Sequence, residues 1–211
     1  MHDNAKSYAD ALVPVRASVA GYSMLPFSIG HALLLQKKRS PLAEMWSKTN
    51  NGESINLGDA ALAVWICKNT PSVALSTIGG FWMRLELRFI AKRILKHGIS
   101  KSYGELINYI ANGFSAPKMR MSDGGKFVAS PMLGMLMVAM MSHFHRNYAE
   151  ALNTPISFAL WNRSILLDEK GMAELWSEDD YEIQQRAEEL AKDPAALDRL
   201  FERKEEEQSN G

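Results

Sequence analysis

The chain has 211 residues, of which 46% are hydrophobic and 23% charged, as in an ordinary globular protein with one sizeable core. Its single cysteine, Cys67, excludes an intramolecular disulfide bond. The N-terminal residues MHDNAKSYAD lack the apolar stretch of a signal peptide, so we expect a reducing, cytoplasmic setting.

The formal net charge is zero, but the two signs of charge are concentrated in different parts of the chain. Residues 1–167 contain 18 Lys and Arg against 9 Asp and Glu, a net charge of +9. Residues 168–211 contain 6 against 15, a net charge of −9. This division predicts a basic helical core domain over 1–167 and an acidic helical arm with a frayed tail over 168–211. The arm is expected either to fold back on a basic surface or to project toward a partner.

Five of the eight prolines follow a residue that commonly caps a helix. These pairs are Ser40-Pro41, Thr70-Pro71, Ser130-Pro131, Thr154-Pro155 and Asp193-Pro194. The side-chain oxygen of a cap accepts hydrogen bonds from the first turn, and proline at the first helical position loses none. The pattern predicts an all-α fold, an irregular multi-helix bundle with an acidic helical C-terminal extension.

In chain order, the first 25 residues are expected to form a short helix or an arm. Helices are then predicted to begin near Pro26, Pro41, Leu57, Pro71, Phe81, Ser102, Pro131, Ile156, Ser177 and Pro194. Asn56 is the expected cap of the helix over 57–68, and Ser102 with Glu105 forms a capping-box pattern. Residues 115–129 lack periodicity and are expected to form the longest loop.

Residues 131–145, PMLGMLMVAMMSHFH, are the most apolar stretch of the chain. They include five methionines: Met132, Met135, Met137, Met140 and Met141. On a helix their side chains point in every direction, which predicts a buried helix at the centre of the fold, continuing to about residue 152. The apolar run from Met132 to Met141 is too short to span a membrane.

The same methionines are candidate binding residues, because methionine side chains are flexible and accept varied apolar helices. Gly134, Val138 and Ser142 form a low ridge on this helix. A neighbouring helix could approach that ridge closely, and the neighbour could belong to this chain or to a partner.

The predicted helix over 81–97 carries four cations at four-residue spacing: Arg84, Arg88, Lys92 and Lys96. They share one face, and Met83, Leu87, Ile90 and Ile94 lie on the other. The stripe indicates contact with an acidic protein segment, from this chain or from a partner. The alternative is a nucleic-acid-binding regulatory protein that uses the basic face of 84–101, although no helix-turn-helix pair is evident.

Catalytic and metal-binding patterns are weak. Cys67 and His31 could form a nucleophile and its base, but the apolar helical context AVWIC favours a buried thiol. His143 and His145 are two residues apart and so point to different sides of a helix. No metal-ligand or cofactor motif occurs in the sequence, and 123–126 is typical of a surface turn. We therefore expect no catalytic activity, no cofactor and no metal.

Three segments resemble the small helical tail assembly chaperones of long-tailed bacteriophages. These are SIGHALLL (28–35), LGDAALAVWIC (57–67) and ISFALW (156–161), the last followed by an acidic helical extension from Asp168. The resemblance implies a non-catalytic viral protein of the host cytoplasm that binds apolar helices of the tape-measure protein. It also implies that the C-terminal extension recruits tail-tube subunits. The family has no catalytic residues to transfer.

Overall fold

The computed structural model describes residues 17–43, 55–117, 119–121, 131–175 and 183. Within these ranges the chain is mostly helical, which confirms the all-α prediction. Its helices are α1 Ile29–Lys37, α2 Leu57–Lys68, α3 Pro71–Thr77, α4 Phe81–His97, α5 Ile99–Gly113, α6 Met132–Ser142, α7 Tyr148–Asn153 and α8 Ile156–Glu169, with a 3₁₀ turn at Pro41–Ala43. We call α4 the cation helix and α6 the methionine helix.

Four short strands form two antiparallel pairs. β1 Ser18–Val19 pairs with β2 Tyr22–Ser23, and β3 Met119–Met121 pairs with β4 Ala173–Leu175. The prediction of a loop over 115–129 is therefore wrong at 119–121, because a distant strand supplies the pairing. Residues 122–130 lie outside the described part of the chain.

α1 and α2 pack on each other, and most of the other helices pack on one of these two. α2 packs most extensively on α4 and also contacts α5, whereas α1 contacts α6 and α7. α8 packs on α6 and β4. Most residues of α1 and α2 are buried, among them Ile29, Leu35 and Ile66 at 0% exposure. The prediction that the methionine helix is the centre of the fold is wrong, because α1 and α2 occupy that position.

Several predicted helix starts are confirmed by their hydrogen bonds. The Asn56 side chain accepts a hydrogen bond from the Asp59 amide at 2.9 Å, and Thr70 caps α3 with Pro71 at its first position. α1 begins three residues after Pro26, where Ser28 is the cap. These side chains satisfy amide groups that a first helical turn leaves without partners.

Two predicted helix boundaries and one predicted helix cap are wrong. α5 begins at Ile99 rather than Ser102, because Gly98 adopts a positive φ of 103° and starts the new helix directly. Glu105 therefore bonds to the Ala20 amide instead of closing a capping box. The methionine helix ends at Ser142 rather than near 152. Thr154 ends α7, and its hydroxyl donates to the Glu150 carbonyl instead of capping α8.

The predicted acidic arm is described only at its start. α8 continues to Glu169, and β4 joins residues 173–175 to the body through β3. The predicted helices that begin near Ser177 and Pro194 fall almost wholly outside the described residues, as do the Ser130 cap and most of the predicted helix after Pro41. Among the helices that are described, none has the length and apolarity needed to cross a bilayer.

Candidate functional site

The five candidate methionines occupy different environments on α6. Met140 is completely buried with Leu133 and Leu136, and these three side chains anchor the helix to the core. Met132, Met135 and Met137 are half-buried. Met141 is 43% exposed, so it and the half-buried methionines are the ones that a partner could touch.

The outer side of α6 is the ridge of small residues Gly134, Val138 and Ser142. All three are exposed, Val138 by 64%, and a Cβ atom added at Gly134 would meet no atom within 4 Å. The expectation that α6 is buried all round is wrong on this side.

Polar groups are nearly absent from the ridge. The Ser142 hydroxyl donates to the Val138 carbonyl at 2.7 Å, so the helix itself satisfies it. No charged residue occurs in α6. The outer face is therefore an uncharged, mostly apolar strip about three helical turns long.

The end of α6 is fixed by a short break in the chain. The Arg146 amide donates to the Met140 carbonyl at 3.0 Å, and His145 adopts a positive φ of 50°. Asn147 then caps α7 through a capping box with Glu150. α7 packs back on α6 after this break, and Gly134, Val138 and Ser142 stay exposed.

The four candidate cations of α4 are all exposed: Arg84, Arg88, Lys92 and Lys96. Within the described ranges, ion pairs join Lys68 to Glu86 at 3.1 Å and His97 to Glu105 at 2.9 Å. Neither pair uses one of the four cations. The buried side of α4 is formed by Met83, Ile90 and Ile94, as the periodicity predicted.

Large apolar side chains accompany the cations on the exposed side of α4. Phe81 and Trp82 are 73% and 74% exposed and pack edge to face, with ring centroids 5.7 Å apart. Phe89 and Leu95 are 58% and 52% exposed. Neither phenylalanine was among the binding residues predicted from the sequence, although at about 100° per residue both fall on the cation side of the helical wheel.

A cleft of about 560 Å³ lies beside the C-terminal half of α4. It is bounded by the β1–β2 turn and by side chains of α4, namely Phe89, Lys92, Arg93, Lys96 and His97. Arg93 donates to the Gly21 carbonyl at 3.0 Å and lies 4.6 Å from the Tyr22 ring centroid. The hydrogen bond from His97 lowers the pKa of Glu105. These contacts hold the turn against α4 and α5.

Cys67 and His31, the candidate nucleophile and base, are both in the core. Burial raises the pKa of the Cys67 thiol to about 12, so the thiol is protonated at neutral pH. His31 Nδ1 accepts a hydrogen bond from the Ser28 amide, and His31 Nε2 lies 2.8 Å from the Asn69 carbonyl oxygen. Burial lowers the pKa of His31. His31 thus joins the start of α1 to the end of α2. The described residues contain no cluster of three metal-ligating side chains.

Two separate surfaces result from this arrangement, because α6 packs on α1 whereas α4 packs on α2. The first is the uncharged ridge of α6, and the second is the aromatic and cationic face of α4. Comparisons with protein-family models, with curated proteins and with solved structures found no match to this chain.

Proposed function

We propose that this protein is a non-catalytic, tail-assembly-chaperone-like protein that holds apolar helices of a partner, such as a tape-measure protein. The exposed ridge of α6 is the observation that carries the proposal. Isolated exposed apolar side chains are common on protein surfaces, but a continuous uncharged strip indicates a binding surface.

The shape of the ridge suits a helix. Packed helices lie about 8 to 10 Å apart, and small residues at the contact allow the closest approach. Gly134 and Ser142 are the small residues at either end of the ridge, and Val138 lies between them. Open space around Gly134 leaves room for the partner backbone.

The methionines supply adaptability at the edges of the ridge. Met135 and Met141 are partly or largely exposed and flank Val138. A methionine side chain has several rotatable bonds, so these two can repack around partner side chains of different sizes. Met140 contributes only indirectly, by anchoring α6 from the core side.

The chemistry of the ridge also limits the partner. Because α6 carries no charge, a charged side chain of a partner would lose water here without finding a counter-charge. The preferred segment is therefore a helix with a continuous apolar stripe. The exposed cations lie on α4, which packs on α2 rather than on α6, and they take no part in this surface.

Titration with a labelled helical peptide tests the proposal. The probe is a soluble peptide of about 15 to 20 residues with leucine and alanine along one face, long enough to form a helix. We expect the anisotropy of the peptide to rise with the intact protein, and Val138→Lys to weaken this binding by about tenfold or more, since a buried unpaired ammonium is costly.

The matched control is Val73→Lys, which makes the same substitution at a valine of α3 that is 48% exposed. It should leave peptide binding unchanged, and both variants should unfold at the denaturant concentration of the parent. Equal weakening by the two variants, or no binding by the parent, would refute the proposal.

A further inference from the structure

Seven of the twelve large apolar side chains that are exposed in the described residues lie between positions 73 and 99. They are Val73, Leu75, Phe81, Trp82, Phe89, Leu95 and Ile99, at 44% to 74% exposure. They belong to three consecutive helices, α3, α4 and the start of α5. Four of the seven, Phe81, Trp82, Phe89 and Leu95, lie on the exposed side of α4 itself, so apolar side chains are concentrated on that side of one helix.

Cations occupy the same surface. Arg84, Arg88 and Lys92 form a row along the middle of the exposed side of α4, and Lys96 continues it. Within the described ranges these groups make no ion pair with a carboxylate. The surface therefore combines apolar groups with positive charge that the described body does not neutralise.

We infer that the exposed face of α4 binds the surface of an anionic lipid bilayer. Phe81 and Trp82 would enter the interface between headgroups and acyl chains, as aromatic rings do in helices that lie in the membrane plane. The arginine and lysine heads would contact lipid phosphates while their methylene stems follow the apolar side chains inward.

A nucleic acid fits the charge but not the apolar groups. Phosphates would pair with the cations, and aromatic rings can stack on unpaired bases. The aliphatic side chain of Leu95, which is 52% exposed on the same side of α4, would gain nothing from such a ligand. A bilayer covers aliphatic and aromatic side chains together.

A tightly packed partner helix fits less well than a bilayer. The central row on α4 consists of long charged side chains, which keep a second helix at a distance and would each need a buried counter-charge. The ridge of α6 has the opposite composition. The two surfaces are thus suited to different ligands.

Sedimentation with lipid vesicles tests the inference on the full chain. The parent should bind vesicles of phosphatidylcholine mixed with phosphatidylglycerol and bind pure phosphatidylcholine vesicles at least about tenfold more weakly. Arg84→Ala combined with Arg88→Ala should weaken binding to the anionic vesicles by about tenfold or more. Lys37→Ala combined with Lys38→Ala removes two exposed cations from the end of α1 and should have little effect.

Insertion of the aromatic side chains has its own readout. In a background that carries Trp46→Phe and Trp176→Phe, brominated lipids should quench the remaining tryptophan fluorescence, and Trp82→Phe should abolish most of that quenching while vesicles still bind. Trp65 and Trp161 are nearly buried and should not respond. Equal binding to neutral and anionic vesicles, unchanged binding after loss of both arginines, or binding to single-stranded DNA but not to vesicles would each overturn the inference.

Discussion

The methionine helix α6 and the cation helix α4 both expose one side, but they expose different chemistry. The outer ridge of α6 is small and uncharged, and its polar hydroxyl is satisfied within the helix. The outer side of α4 carries long cations among bulky apolar side chains. The kind of ligand that an exposed apolar residue can bind therefore depends on the side chains around it. Small neighbours permit a close helix contact, whereas cations point to an anionic surface.

The largest expected effect comes from comparing substitutions on the two sides of α6. The buried side stabilises the fold, whereas the exposed side is available for binding. Leu136 is fully buried, so Leu136→Ala should lower the free energy of unfolding by about 2 to 5 kcal/mol. Val138→Ala, on the exposed ridge, should change it by less than about 0.5 kcal/mol. Urea denaturation measures both. Equal losses would mean that α6 is covered on both sides.

The position of α4 relative to α5 depends on Gly98, whose φ of 103° and ψ of 122° strongly favour glycine. Gly98→Ala should therefore cost about 1 to 3 kcal/mol in the free energy of unfolding. Gly104→Ala is the control, because Gly104 lies inside α5 with open space around it and should gain up to about 1 kcal/mol. A neutral Gly98→Ala in thermal or urea denaturation would contradict the assigned backbone conformation.

α6 packs on α1 and α4 packs on α2, and His31 joins α1 to α2. The stability of the fold should therefore depend on pH through His31. Burial lowers its folded pKa below the ordinary 6.5, so its contribution to stability is complete above about pH 6.5. As the pH falls below that value the unfolded chain takes up a proton first. Stability should then decline by up to about 1.4 kcal/mol per pH unit.

Urea denaturation between pH 7.5 and pH 5.5 measures this slope. His31→Gln should remove the His31 contribution, whereas His143→Gln, at an exposed position, should retain it. A slope that persists unchanged in His31→Gln would assign the pH response to another group.

The smallest expected effect is that of a substitution on the ridge that changes stability and peptide binding in opposite directions. Gly134→Ala should raise the free energy of unfolding by about 0.5 to 1 kcal/mol, because alanine favours a helix interior and has space here. The added methyl group should nevertheless weaken peptide binding, since it keeps the partner helix further away. Gly104→Ala should give a similar gain in stability and leave peptide binding unchanged. If Gly104→Ala also lowers the affinity for the peptide, the loss in Gly134→Ala does not come from contact at the ridge.

The sequence predicted α4 better than α6 for a physical reason. In α4 the apolar residues Met83, Ile90 and Ile94 repeat with the helical period among cations, so the buried side is encoded locally. α6 is apolar on all sides, so its sequence does not specify which side faces the core. That choice is made by α1, α7 and α8, which pack on α6; Leu136 and Met140 are buried, and Val138 is exposed.

Other differences also come from distant parts of the chain. The capping pattern at Ser102 is locally reasonable. The Glu105 carboxylate instead accepts a hydrogen bond from the Ala20 amide and pairs with the His97 ring. The strand at Met119–Met121 forms because residues 173–175 pair with it. The cation face, by contrast, was predictable in full, since the positions of Phe81 and Phe89 follow from the same helical wheel that groups the arginines and lysines.

Alkylation of a thiol placed on the ridge tests most directly whether α6 presents an open site that a partner helix covers. In Val138→Cys the native Cys67 is buried and should stay unmodified, so iodoacetamide should add a single group at position 138. Saturating apolar helical peptide should slow this reaction severalfold, while a thiol introduced by Val73→Cys should react at an unchanged rate. Slow alkylation at position 138 without peptide, or a rate that the peptide does not alter, would contradict the proposed site.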